Sequence, residues 1–324
     1  MGFSWNDLVA GVRRREPRPL ARLISRVEDR EAGWQEAMKA LFPHAGSARV
    51  IGITGPPGAG KSSLTSCITS SLAARGHRVG IIAVDPTSPF SGGALLGDRL
   101  RMHAVATTPG VFIRSMATRG TLGGLCQGAR DVARILAAAG YDIILIETVG
   151  VGQDEIEVVK AADLVVVVCV PGQGDSVQTL KAGIMEIADL FVVNKADREG
   201  ADVLVADIRS MQALTAGDGS ETAPVLETCA LTGHGVDALV EALLAPRARP
   251  HRPGAGAGAG AGDAVRVREE ILTLLEREIA GLVRQRWGSN GSLDDAVQRV
   301  CSGEIDPYSA AQSILSQLGS QLGS

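Results

Sequence analysis

The 324-residue chain lacks an excess of charge of either sign: 32 basic residues against 36 acidic ones leave a formal net charge of −4. It therefore offers no electrostatic footprint for nucleic acid. It also lacks an apolar run near the ~18 residues of a membrane span; the most apolar stretch, Leu164 to Val170, reads as a buried strand. Cysteine is sparse. The five cysteines (Cys67, Cys126, Cys169, Cys229 and Cys301) lie far apart with no C-x-x-C pair, which favours reduced core residues over disulfides or metal ligands. The N-terminus is rich in Arg but carries Glu16, Glu28, Asp29 and Glu31 and has no signal-peptide apolar region, so a cytoplasmic protein is expected. Neither nucleic acid nor membrane is expected among its partners. What the chain has is a 45% hydrophobic composition and enough length for one large domain plus accessory helices.

The most informative stretch is Gly55-Pro56-Pro57-Gly58-Ala59-Gly60-Lys61-Ser62-Ser63, which follows the apolar run Val50 to Thr54 and opens a helical pattern reaching Ala74. Strand, glycine-rich turn and helix in that order make a phosphate-binding loop. Side chains must be absent where the chain bends and where phosphate approaches, and the helix N-terminus adds its own N–H groups and partial positive charge. Lys61 would reach the β- and γ-phosphates, and Ser62 would offer its hydroxyl to Mg²⁺.

Around this motif, short β-branched runs alternate with helical patterns, the signature of a parallel sheet covered on both faces. The expected strands are Val50–Thr54, Val79–Asp85, Val111–Arg114, Ile143–Glu147, Leu164–Val170, Leu190–Asn194 and Val225–Thr228. Polar motifs fall at their C-terminal ends, where ligands bind in such sheets. Asp85, and Asp98 in the long loop after it, are candidate Mg²⁺ carboxylates, with turn or cap carboxylates as the alternative. Glu147 can orient metal-bound water, Gly150 lets a backbone N–H approach a γ-phosphate, and Gln153 could position an attacking water. Asn194-Lys195-Ala196-Asp197 suits guanine: a carboxylate at Asp197 accepts from the N1 and N2 groups, whereas adenine would leave it facing a lone pair. Backbone N–H groups of Cys229-Ala230-Leu231, after the last strand, are placed for the guanine O6.

The flanks read as helical. Residues 1–48 form an N-terminal arm with Leu20, Leu23, Ile24 and Val27 on one helical face. Arg18, Arg22, Arg26 and Arg30 line another, which is read as solvated. Residues 49–249 form the nucleotide domain. A Gly/Ala-rich linker spans 250–263, and 264–324 form a C-terminal helical segment whose apolar surface from Val265 to Val283 exceeds what one neighbour would cover. Asp306-Pro307 signals a helix start, and the Ser-Gln-Leu-Gly repeat after Ser316 is expected to fray.

Together the segments GPPGAGKSSL (55–64), VDPTSPFSGGALLGDRLRM (84–102), ETVGVGQDE (147–155), PGQGDSVQTLKAGIMEIAD (171–189), NKAD (194–197) and DPYSAA (306–311) resemble the MeaB/ArgK/MMAA-type GTPases, a branch of the SIMIBI class of P-loop GTPases, over nearly the whole chain. The resemblance implies a three-layer α/β P-loop fold and a homodimeric, Mg²⁺-dependent GTPase binding GTP and GDP. It further implies a G-protein chaperone that gates adenosylcobalamin loading into an acyl-CoA mutase, typically methylmalonyl-CoA mutase, and protects that enzyme. It assigns Lys61 and Ser62 to phosphate and Mg²⁺, Asp85 and Asp98 to the metal's surroundings, Glu147 to the second switch, Asn194 and Asp197 to guanine, and Gln173, Asp175 and Lys181 to a third switch. The Gly-Ala run is not part of the family pattern. A nickel-insertion GTPase is disfavoured because no Cys/His cluster lies near the switches, and a small-molecule kinase because Asp197 argues against ATP.

Overall fold

Seven strands, β1 (Arg49–Thr54), β2 (Val79–Asp85), β3 (Val111–Ala117), β4 (Ile143–Thr148), β5 (Leu164–Cys169), β6 (Leu190–Asn194) and β7 (Val225–Thr228), form one sheet in the order β3-β2-β4-β1-β5-β6-β7. Every pairing in it is parallel. The computed structural model describes residues 3–46, 48–85, 102–117, 124–148, 162–172, 187–215, 222–246, 261–288 and 292–322. β4 and β5 flank β1, so β2 to β4 lie on one side of it and β5 to β7 on the other. The crevice for a ligand in such a sheet opens beyond the C-terminal end of β1, where the winding changes direction.

Burial on both faces explains why the inner strands are apolar throughout. In β2, Ile81 belongs to one core cluster with Leu64, Ile68 and Leu72 of α4 (Lys61–Ala74) and Leu239 and Leu243 of α8 (Val236–Leu244), whereas its neighbour Ile82 belongs to the cluster on the opposite face. That opposite face is covered by α1 (Trp5–Arg13), α2 (Pro17–Glu28), α3 (Trp34–Leu41) and α6 (Gly124–Ala138) through Leu8, Leu20, Leu23, Val132 and Leu136. Over β5 and β6 it is covered by α7 (Ala201–Thr215). A four-residue helix, α5 (His103–Ala106), precedes β3.

Two features depart from the sequence pattern in this part. β3 continues three residues beyond Arg114, because its whole length pairs in register with β2 and the Arg114 guanidinium finds Glu28. The Arg stripe is only half solvated, and its last member, Arg30, lies in the turn just after α2, with a φ of +53°. Arg18 and Arg22 are exposed, but Arg26 lies 4.0 Å over the Trp5 ring and bonds Glu31. Arg30 lies 4.0 Å over Trp34 and pairs at 2.8 Å with the buried Asp131 of α6.

The chain divides into two compact units, Met1–Ala259 and Gly260–Ser324, and the N-terminal helices belong to the first. The second contains α9 (Ala261–Gly288), α10 (Ser292–Cys301) and α11 (Pro307–Leu322). α9 starts within the Gly-Ala run, where alanine favours helix. The Asp306 carboxylate accepts from the N–H groups of Tyr308 (2.9 Å) and Ser309 (3.0 Å), and Pro307 occupies the first helical position. So anchored, α11 runs through the terminal repeat to Leu322 rather than fraying, since Gln and Leu are good helix formers. Cys169 and Cys229 are buried free thiols, but Cys301 is exposed, contrary to its reading as a core residue. No helix among the described residues is long and apolar enough to cross a membrane.

Candidate functional site

The turn from β1 into α4 is shaped by three glycines with positive φ: Gly55 (+145°), Gly58 (+78°) and Gly60 (+85°). A Cβ on Gly55 would stand 2.1 Å from the Val168 carbonyl oxygen of β5, and one on Gly60 2.6 Å from the Asn194 amide nitrogen. Both positions are thus closed to side chains by conformation and by space. Gly60 caps α4 without a side-chain hydrogen bond, so the helix presents first-turn N–H groups to an anion. Lys61, only 6% exposed, curls back over the loop and donates to the carbonyls of Gly55 (2.7 Å) and Pro56 (3.0 Å). Its ammonium is thereby held against the turn's own carbonyls. Ala59 is buried, whereas Pro57 and Ser63 are exposed.

Hard oxygens gather beside this loop. The Ser62 hydroxyl donates to Glu147 Oε1 at 2.5 Å, joining α4 to the buried end of β4. One step along the two strands, Thr148 Oγ1 donates to Thr54 Oγ1 at 3.2 Å. Asp85 closes β2 directly after Val84, which pairs with Thr148, so its backbone arrives at the same sheet edge. A hydroxyl and a carboxylate in contact at a phosphate-binding turn fit Mg²⁺, which prefers few carboxylates and retains water. Asp98, Gly150, Gln153, Gln173, Asp175 and Lys181 lie outside the described residues.

At the end of β6, Asn194 ties three segments together. Its amide donates to the Ala59 carbonyl (2.8 Å), and its Oδ1 accepts from Thr228 Oγ1 and the Ala230 N–H, both at 3.2 Å. Lys195 takes a positive φ of +57° and reaches Gly58 O at 2.8 Å. Asp197 is exposed on the same loop. Beyond β7, the loop folds tightly through Cys229 N–H to His234 O (2.9 Å) and Gly233 N–H to Cys229 O (2.9 Å). With Cys229 and Ala230 N–H so engaged, Leu231, 91% exposed, carries the next donor along the loop.

Lys61, Ser62, Glu147, Asn194, Lys195 and Ala230 are therefore brought together around one loop. The sequence pattern gave no sign of the Thr54–Thr148 contact or of the half-buried Cys67, whose thiol donates to Ala230 O at 3.2 Å. Nor did it single out Gly235, where φ is +72° and a Cβ would lie 2.1 Å from Glu227 O. Its one legible signal was a glycine just before a helical pattern.

The sequence model described as methylmalonyl-CoA mutase-associated GTPase MeaB matches residues 20–281. The chain belongs to the MeaB family. Its members are GTPases, and this protein is one. A Pyrococcus abyssi relative is 45% identical over 316 residues, covering 97% of this chain and 96% of its own. The Escherichia coli GTPase ArgK is 38% identical over 246 residues, 74% of each chain. A crystal structure described as a LAO/AO transport system kinase superposes with a TM-score of 0.66 over 97% of both chains, and at 24% identity it attests the P-loop fold alone. This MeaB-family protein accordingly binds a nucleotide.

Proposed function

We propose that this MeaB-family GTPase is a homodimeric, cytoplasmic G-protein chaperone of an adenosylcobalamin-dependent acyl-CoA mutase, methylmalonyl-CoA mutase first among them, and that it gates cofactor loading and protects the mutase. The observation that carries the switch is the 2.5 Å bond from Ser62 to Glu147, which links the phosphate-binding helix to the strand leading into the segment after Thr148. The partner rests on the family's description as mutase-associated.

In this reading the loop N–H groups from Gly55 to Ser63 and the Lys61 ammonium grip the β- and γ-phosphates. Ser62 would hold Mg²⁺, with Asp85, Asp98 and Glu147 holding it directly or through its waters; when bound, the ion neutralises charge on the phosphate oxygens. Asn194 braces the base loop, the Lys195 stem covers the ring, Asp197 accepts from the guanine N1 and N2 groups, and the N–H of Leu231, next to the engaged N–H groups of Cys229 and Ala230, serves O6. Gln153 orients the water that attacks the γ-phosphorus. The bond from that phosphorus to the β–γ bridging oxygen breaks, and GDP and phosphate leave. Gly150 follows the γ-phosphate, and Lys181, with Gln173 and Asp175, passes the state to the mutase.

The test compares GTP hydrolysis with and without methylmalonyl-CoA mutase, in wild type and in Asp197→Asn. Wild type should be accelerated by the mutase with GTP. The variant should lose GTP but accept XTP, whose extra carbonyl the amide can serve, and XTP hydrolysis should then be accelerated as well. Equal ATP and GTP binding by wild type would remove the base assignment, and unchanged hydrolysis with the mutase present would remove the partner.

A further inference from the structure

Cys67 lies in the second turn of α4, the helix whose first turn faces the phosphates, and its thiol donates across to the Ala230 carbonyl oxygen at 3.2 Å. The Ala230 N–H is held from the other side by Asn194 Oδ1 at 3.2 Å, and the Asn194 amide is itself fixed on Ala59 O at 2.8 Å. The contacts close a ring from phosphate loop to Asn194, to Ala230, to Cys67 and back along α4. Within it, the Ala230 carbonyl and the Leu231 N–H belong to one planar trans peptide and point in opposite directions. Holding the oxygen on α4 turns the Leu231 N–H away from it.

We propose that Cys67 is a positioning residue for guanine recognition: by fixing the Ala230–Leu231 peptide it aims the Leu231 N–H at the guanine O6. The inference rests on the guanine reading of Asp197 and deepens it with a second, separable contact. Burial first, and then the neighbouring Cys229, push the Cys67 thiol up from its usual 9.0, so it stays protonated and remains a donor at neutral pH. Serine at this position would donate in the same way, and alanine would not.

Two affinity ratios separate the contacts. GDP against IDP reports the N2 group that Asp197 would accept from. GDP against 6-thio-GDP reports O6, because sulfur is the weaker acceptor. In wild type both ratios should favour GDP. Cys67→Ala should lower the GDP to 6-thio-GDP ratio by about two- to tenfold, the range of one hydrogen bond, while the GDP to IDP ratio holds. Cys67→Ser should restore the first ratio, and Cys67→Val, which fills the space without a donor, should behave as Ala does and serves if Ala does not fold. A uniform loss of affinity with both ratios unchanged makes Cys67 mere packing and overturns the proposal, as does a serine variant that behaves like alanine. A wild type that does not prefer GDP over IDP would instead defeat the guanine reading on which it rests.

Discussion

Gly60 shows how much of the site depends on one missing Cβ. Its φ of +85° disfavours alanine by ~1–2 kcal/mol, and the new methyl would stand 2.6 Å from the Asn194 amide nitrogen. Asn194 is buried and held at Ala59, Thr228 and Ala230, so it cannot swing aside without giving up a bond. Gly76 has nearly the same φ, +88°, but nothing within 4 Å of a Cβ. Gly76→Ala should therefore lower stability by about 1 kcal/mol and leave GDP affinity alone. Gly60→Ala should cost about 2–4 kcal/mol and weaken GDP binding more than tenfold. Urea unfolding with a GDP titration decides it, and equal GDP affinity in the two variants would show that the Asn194 clamp is dispensable. At this scale the sequence was legible where structure is local: the glycine-rich run between strand and helix forms the turn its pattern suggests. The φ of Lys195, the Cys67 thiol and the role of Gly235 arise from contacts between distant segments, which no neighbouring residue announces.

Among the elements, strands were the most readable because burial on both faces leaves an unbroken apolar run, as in β6; β2 and the partly exposed edge strand β7 also have the bounds their patterns suggest. The N-terminal helices were less so, since a charge stripe on α2 looks alike whether it meets water or another helix. Arg30 meets α6. Asp131 there is 3% exposed, and burial pushes its carboxyl above the usual 3.8, with Arg30 opposing. A carboxyl that holds its proton more tightly when folded contributes stability that falls as pH climbs from 3.8 through its raised folded value. Arg30→Ala removes the opposing charge, so that window should reach to higher pH, and near neutral pH the chain should lose ~3 kcal/mol. Adding Asp131→Asn should recover much of the loss and abolish the extra pH dependence. Urea midpoints across pH 4 to 8 test this; a loss in Arg30→Ala that is constant with pH would mean the ion pair does not govern how the turn after α2 is held on α6. At the C-terminus the sign is opposite: hydrogen bonds from Ser309 hold the Asp306 carboxyl below 3.8, so the cap on α11 is present above that value and lost as pH falls through the lowered one.

At the scale of the whole molecule, the two-unit division raises the question of what the second unit is for. Along α9, Ile271, Leu275, Ile279 and Leu282 recur at helical spacing, each 45–51% exposed, with Val267 and Leu272 at 52% beside them. An apolar stripe of that length on a helix exceeds the scattered exposure that needs no explanation, and a self-complementary stripe is the simplest route to a symmetric pair. The breadth of this surface was readable from sequence, because period alone reveals it; the partner it meets was not, because a solvent-facing leucine and an interface leucine have the same pattern. If α9 builds the proposed homodimer, Leu275→Asp with Ile279→Asp places two charges in each half of a dry seam. With four charges in the seam at about 2 kcal/mol or more each, dimerisation should weaken by well over about a thousandfold. Full-length wild type should sediment as a dimer at micromolar concentration and the variant as a monomer. GDP affinity should be equal in both, since the phosphate loop and base loop belong to the other unit. A wild type that sediments as a monomer, or a doubly charged variant that remains a dimer, removes α9 as the dimerisation element, whereas loss of GDP binding in the variant would tie the second unit to the nucleotide site instead.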